Sequence, residues 1–90
     1  MNRLLNKIFY VEKNGSKSLC ELKISGPNQN DLGSSHTVTI PLFFKREKQI
    51  YGVDEEQSYQ LAIEFVMNFL LSETLYDENG NEISSKEIFN

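Results

Sequence analysis

The stretch Ile50-Tyr51-Gly52-Val53-Asp54-Glu55-Glu56-Gln57-Ser58-Tyr59-Gln60-Leu61-Ala62-Ile63-Glu64-Phe65-Val66-Met67-Asn68-Phe69-Leu70-Leu71 decides how this chain is read. Asp54 is a good N-cap, and Gln57 three residues later can return a hydrogen bond, so a helix starts there. From Tyr59 to Leu71, 10 of 13 residues are apolar, and the exceptions Gln60, Glu64 and Asn68 recur every fourth position. That spacing leaves one narrow wet stripe on an otherwise apolar helix. Tyr59, Ala62, Ile63, Val66, Phe69 and Leu70 centre the arc that faces a sheet, with Leu61, Met67 and Leu71 on its flanks. The arc is wider than one sheet covers. Either the C-terminal segment, with Leu75, Tyr76, Ile83, Ile88 and Phe89, wraps over it or a second chain does, and wrapping is the favoured reading.

Upstream, Asn6–Glu12 and Lys17–Ser25 are strand-favouring runs that flank Lys13-Asn14-Gly15-Ser16. Asn-Gly supplies the two positive φ angles of a type I′ turn, so a tight hairpin is predicted. Centred on that turn, Glu12 faces Lys17, Tyr10 faces Leu19 and Phe9 faces Cys20. This register puts Phe9, Val11, Cys20 and Leu22 on one side. Asn14-Gly15-Ser16 also matches a glycosylation sequon, which turn chemistry explains without a sugar. Gly26–Ser35 is rich in turn-formers with only Leu32 apolar and reads as a mobile connection. His36–Phe44 alternates and reads as a third strand. Pro41 within it marks an edge or bulge, because proline donates nothing to a ladder. Gln49–Val53 reads as a short fourth strand. Asp77–Glu82 is a turn, and Ser84 or Ser85 caps a final helical turn. The expectation is one α+β domain over 1–90: an antiparallel sheet of three or four strands, a meander starting with the Asn-Gly hairpin, packed on one long helix with a short C-terminal extension.

The single cysteine, Cys20, excludes an intramolecular disulfide, and no basic start leads into an apolar run, so a reducing, cytoplasmic setting is expected. No apolar run approaches the roughly 20 residues of a membrane span. The net charge of −4 hides an asymmetry: residues 1–53 carry 8 Lys+Arg and 4 Asp+Glu, residues 54–90 carry 1 and 9. An acidic chain repels phosphate, which confines any nucleic-acid contact to a patch at Lys45, Arg46 and Lys48 and favours a basic protein partner instead.

Catalytic signals are weak. There is no Gly-rich phosphate loop, and His36 and Cys20 are each the only residue of their kind, on different expected strands. Cys20 reads as an inert core thiol and His36 as a residue at the loop edge of a strand. Zinc lacks ligands. The Asp77–Glu82 run fails the calcium-loop spacing, with glycine at the fourth position and Ile88 at the twelfth. Acids flanked by Asn, Gly and Ser are solvated, so general acid–base chemistry has no buried carboxylate to work with. No enzyme, cofactor or metal is expected.

Ile50-Tyr51-Gly52-Val53-Asp54-Glu55-Glu56-Gln57-Ser58, with Leu61-Ala62 after it, resembles a group of small uncharacterised bacterial domains in which a strand ends in G-x-D-x-x-Q and enters an amphipathic helix. The match covers roughly a quarter of the chain. In class rather than motif the chain is also similar to immunity proteins of bacterial toxin systems, which are short, acidic, non-catalytic and cytosolic. That resemblance implies a protein-binding inhibitor of a basic toxin or nuclease. Glu55, Glu56, Asp77, Glu78 and Glu82 are the candidate contacts, with Tyr51 and Tyr76 as aromatic anchors. The alternative is a structural or regulatory homo-oligomer, a homodimer for example, joined through the helix flank or the Pro41 strand.

Overall fold

The computed structural model describes residues 3–31 and 33–89. Its elements in chain order are β1 (Arg3–Lys13), β2 (Ser16–Asn30), β3 (Gly33–Thr39), β4 (Lys48–Gly52), α1 (Glu55–Leu70), β5 (Thr74–Tyr76), β6 (Glu82–Ile83) and a C-terminal 3-10 turn (Ser85–Phe89). The strands form one antiparallel sheet in the order β4-β3-β2-β1-β5-β6, and α1 lies across one face of it. The α+β class is as expected, but six strands replace three or four.

The hairpin follows its turn chemistry. Asn14 and Gly15 take φ of 53° and 82°, and the ladder pairs Glu12 with Lys17, Tyr10 with Leu19 and Phe9 with Cys20. That register turns Phe9, Val11, Cys20, Leu22 and Ile24 inward, where they meet Val38, Ile40, Ala62, Val66, Leu70, Leu75 and Ile88. Burying each large aliphatic side chain of this set contributes about 1.5–3 kcal/mol.

The expected connection over Gly26–Ser35 is instead the far half of a long hairpin. Strand β2 continues through a cis Gly26-Pro27 bond and a register shift between Ser25 and Asn28, after which Asn28 pairs with Ser35, Gln29 with Ser34 and Asn30 with Gly33. Ladder hydrogen bonds satisfy a polar backbone whether or not its side chains alternate, so composition alone misreads this segment. Leu32, the one apolar residue of that stretch, lies outside the described residues.

The third strand stops earlier than its alternation suggests. After Thr39 the chain turns, Phe43 and Phe44 both donating their amides to the Ile40 carbonyl at 3.0 and 2.9 Å. Pro41 is therefore in a turn, not on a sheet edge, and the docking edge expected there does not form. The turn delivers Phe43 and Phe44 onto Phe69 of the helix, with centroids 5.1 and 4.7 Å apart. That aromatic burial outweighs the five further residues of strand that the alternation suggests.

The two additional strands come from the C-terminal segment, which was expected only to wrap. β5 pairs with β1 through Tyr10–Tyr76, Val11–Leu75 and Glu12–Thr74, and β6 pairs with β5. Strands of three and two residues are too short to show a period. Beyond them Ser84 caps the 3-10 turn, its Oγ accepting from the Glu87 amide at 3.3 Å, and Ile88 enters the core, but Leu61 and Leu71 on the helix flanks stay exposed, so the expected cover of those flanks is incomplete.

Candidate functional site

The junction of β4 and α1 is forced by close packing. A Cβ on Gly52 would stand 2.6 Å from the Ser58 amide nitrogen, so only glycine lets the strand end against the helix's first turn. Asp54, extended at φ −143°, accepts the Gln57 amide on Oδ1 at 2.8 Å. The Gln57 side chain reaches one residue further back than a capping box requires and accepts the Val53 amide at 2.7 Å. These bonds hold Val53 outward, and the pairing of Tyr51 in β4 with Ser35 does the same for the tyrosine, the two being 77% and 63% exposed. Beside them Gln29, Asp31, Gly33, Ser34, Val53, Asp54 and Glu55 line an open depression of about 510 Å³, and Glu56 follows on the exposed helix surface. Acids at a helix N-terminus are favourably placed against its dipole.

A second acidic group lies at the other margin of the sheet. The Tyr76 hydroxyl donates to Glu12 Oε1 at 3.2 Å and the Lys17 ammonium sits 3.9 Å above its ring. Partial desolvation, followed by the charge and hydrogen bond of Glu12 and the charge of Glu82, holds the Tyr76 phenol above its usual range. Asp77 Oδ1 accepts the backbone amides of Asn79 and Asn81, both at 2.9 Å, and these bonds, the one from Asn81 foremost, hold its carboxyl below the ordinary aspartate value. Glu78 and Glu82 are exposed around this turn. A cleft of about 430 Å³ runs from Asp77, Glu78, Ile83, Glu87 and Ile88 to Lys7, Ile8 and Phe9 of β1.

The seven residues singled out from sequence thus form two groups. Tyr51, Glu55 and Glu56 stand at the β4 edge. Tyr76, Asp77, Glu78 and Glu82 stand at β5 and β6, with β3, β2 and β1 in between. The two groups lie at opposite margins of the sheet.

A third cluster went unrecognised in the sequence. His36 is not at a loop edge: it is fully buried in the middle of β3, its Nδ1 2.8 Å from Ser58 Oγ on α1. The Ser58 hydroxyl also lies 3.3 Å from Ser34 Oγ and 3.1 Å from the Glu55 carbonyl, and the His36 ring packs against Tyr59 with centroids 5.2 Å apart. Gly26, at φ +141°, makes room for it, since a Cβ there would meet the imidazole Cδ2 at 3.0 Å. A serine and a histidine at this distance have the composition of a nucleophile and its base, but both are sealed from solvent, where no substrate carbonyl can approach. The cluster pins helix to sheet. Cys20 is likewise buried, and burial pushes its thiol up to about 11, which keeps it protonated.

Among the described residues, no three His, Cys, Asp or Glu side chains converge into a metal-binding group, and no helix is long and apolar enough to cross a membrane. Comparison with protein-family models, curated proteins and solved structures finds no match to this chain. The functional reading therefore rests on the chain's own chemistry.

Proposed function

We propose that the chain is a non-catalytic protein-binding module of the bacterial cytoplasm, an immunity-like inhibitor that covers the basic surface of a toxin or nuclease. The observation that carries this reading is the β4–α1 corner. There exposed Tyr51 and Val53 stand beside Asp31, Asp54, Glu55 and Glu56, and none of these carboxylates is in an ion pair among the described residues, where the one pair is Lys23–Glu21. Apolar anchors ringed by unpaired acids suit a basic partner: the rim charges steer the encounter and the tyrosine gains energy by desolvation. Tyr76, Asp77, Glu78 and Glu82 form a second contact region of lesser weight, because Tyr76 and Asp77 already serve the chain's own hydrogen bonds. The sealed His36–Ser58 pair supports a role without bond-making chemistry.

The test is capture from the cells that express the protein. The tagged chain should retain a basic polypeptide that high salt releases. The triple variant Tyr51→Ala, Glu55→Lys, Glu56→Lys should slow its association at low salt by about tenfold or more, whereas Glu55→Gln with Glu56→Gln, which keeps lysine away from the positive end of the helix dipole, should slow it less while preserving the fold by far-UV circular dichroism. Capture unaffected by salt and by these replacements removes the proposal.

A further inference from the structure

Lys45 and Arg46 in the turn between β3 and β4, and Lys48 at the start of β4, are all exposed. The fold adds a fourth cation from far upstream. Lys13, at the end of β1, holds its ammonium 4.4 Å from the centre of the Phe43 ring, and Lys48 holds its own 5.1 Å from that of Phe44. Both rings pack on Phe69 in the last turn of α1, so the four cations gather at one end of the molecule. None of them is in an ion pair among the described residues. Lys17 offsets Glu12, its partner in the hairpin, which leaves the four cations against Glu47 in the turn and Glu73 just past the helix. The acids Asp54, Glu55 and Glu56 stand at the other end of α1, a helix of 16 residues and therefore about 24 Å long. That exceeds the screening length of roughly 8–10 Å at physiological salt, so those acids do not cancel the patch.

We propose that this end binds the phosphate backbone of a nucleic-acid duplex without reading its bases. Exposed cations that have no carboxylate partner suit phosphates: each contact releases a counterion, and Arg46 adds a planar fork that matches two phosphate oxygens. The aromatic rings decide the kind of nucleic acid. Single strands are held by bases stacked on open ring faces, whereas Phe43 and Phe44 are half-buried against Phe69 and each carries a lysine over its ring. A bilayer is disfavoured on similar grounds, because it takes up apolar side chains that stand among the cations. The exposed apolar residues of this turn, Pro41 and Leu42, instead line a depression with Leu19 and Glu21, and no lysine lines it. The contacts to Phe43 and Phe44 hold two ammonium groups in place before a ligand arrives, which lowers the cost of ordering them. This surface and the β4–α1 corner lie at opposite ends of α1, and the two interactions are independent.

Fluorescence anisotropy of the whole chain with a labelled DNA duplex of about 20 base pairs should give a Kd of about 10 μM at about 50 mM salt. Raising the salt to about 200 mM should weaken binding roughly 100-fold, the dependence expected of four phosphate contacts. Lys45→Ala with Arg46→Ala should halve the slope of that dependence, and Lys13→Ala should lower it by about one quarter. All three side chains are exposed, and unchanged far-UV circular dichroism shows that each variant is folded. The Lys13 result is the decisive one, because only the tertiary structure brings that residue to the turn. Absence of binding at about 50 mM salt, a slope indifferent to Lys13→Ala, tighter binding to a single strand of the same length, or equal binding to phosphatidylglycerol vesicles overturns the proposal.

Discussion

The two acidic margins of the sheet are built from the same residue types and employ them differently. At the β5–β6 margin the chain consumes its own polar groups: Asp77 collects the amides of Asn79 and Asn81, and Tyr76 is held between Glu12 and Lys17. At the β4–α1 margin Asp54 caps the helix with one oxygen, but Asp31, Glu55, Glu56 and Tyr51 engage no side-chain partner among the described residues. The difference comes from what lies within reach. A tight turn of Asn and Gly offers bare amides to the carboxylate inside it, whereas at the helix start the Asp54 cap takes the free Gln57 amide and leaves none bonded to Glu55 or Glu56 among the described residues. Negative charge in sequence thus does not by itself mean charge available to a partner.

The largest effect that would sharpen this contrast is steric. Gly52→Val places a side chain against the Ser58 backbone, and the β4–α1 corner should lose about 3 kcal/mol or more of stability, read from urea denaturation. A change of the same size at Gly80, where a Cβ meets nothing, should do far less despite its φ of +84°. Next is Ser58→Ala, which leaves His36 Nδ1 without its 2.8 Å partner and should cost about 1–3 kcal/mol. A negligible cost would mean the buried cluster does not pin the helix. Asp54→Ala should cost about 1 kcal/mol through loss of the cap.

The β5–β6 margin should reveal itself through pH. Asp77 binds its proton less tightly folded than unfolded, so it adds stability above the ordinary aspartate pKa, and that stability is lost as pH falls through the depressed folded value. Asp77→Asn should flatten the acid limb of the melting temperature between about pH 5 and pH 2. The smallest expected effect is Tyr76→Phe. Its hydrogen bond to Glu12 is partly exposed, so removing it should shift the denaturation midpoint only slightly, less than any other replacement in this series.

Much of this molecule is legible in its residues. Asn14-Gly15 and the alternation of Phe9, Val11, Cys20 and Leu22 define the hairpin and its register, and Asp54 with the wet stripe Gln60, Glu64 and Asn68 defines the helix and its outward side. His36 was legible in principle, since Ser34, His36, Val38 and Ile40 share one strand face, but only once the strand is known to begin at Gly33 instead of at the histidine. The candidate site was half legible. Each acid and tyrosine could be assigned to its own turn or helix start, yet whether Tyr51 and Tyr76 would meet was not written in either neighbourhood.

Local chemistry accounts for what the sequence alone determined: turns, caps and periodic faces depend on residues within a few positions of one another, and their energies act before the chain has a shape. The tertiary structure decided the rest. The pairing of Thr74–Tyr76 with β1, the extension of β2 to Asn30, the seating of His36 on Ser58 and the separation of the two acidic groups all join residues far apart in the chain. Each depends on which distant backbone or side chain arrives to satisfy a polar group or cover an apolar one, and no local pattern encodes that arrival.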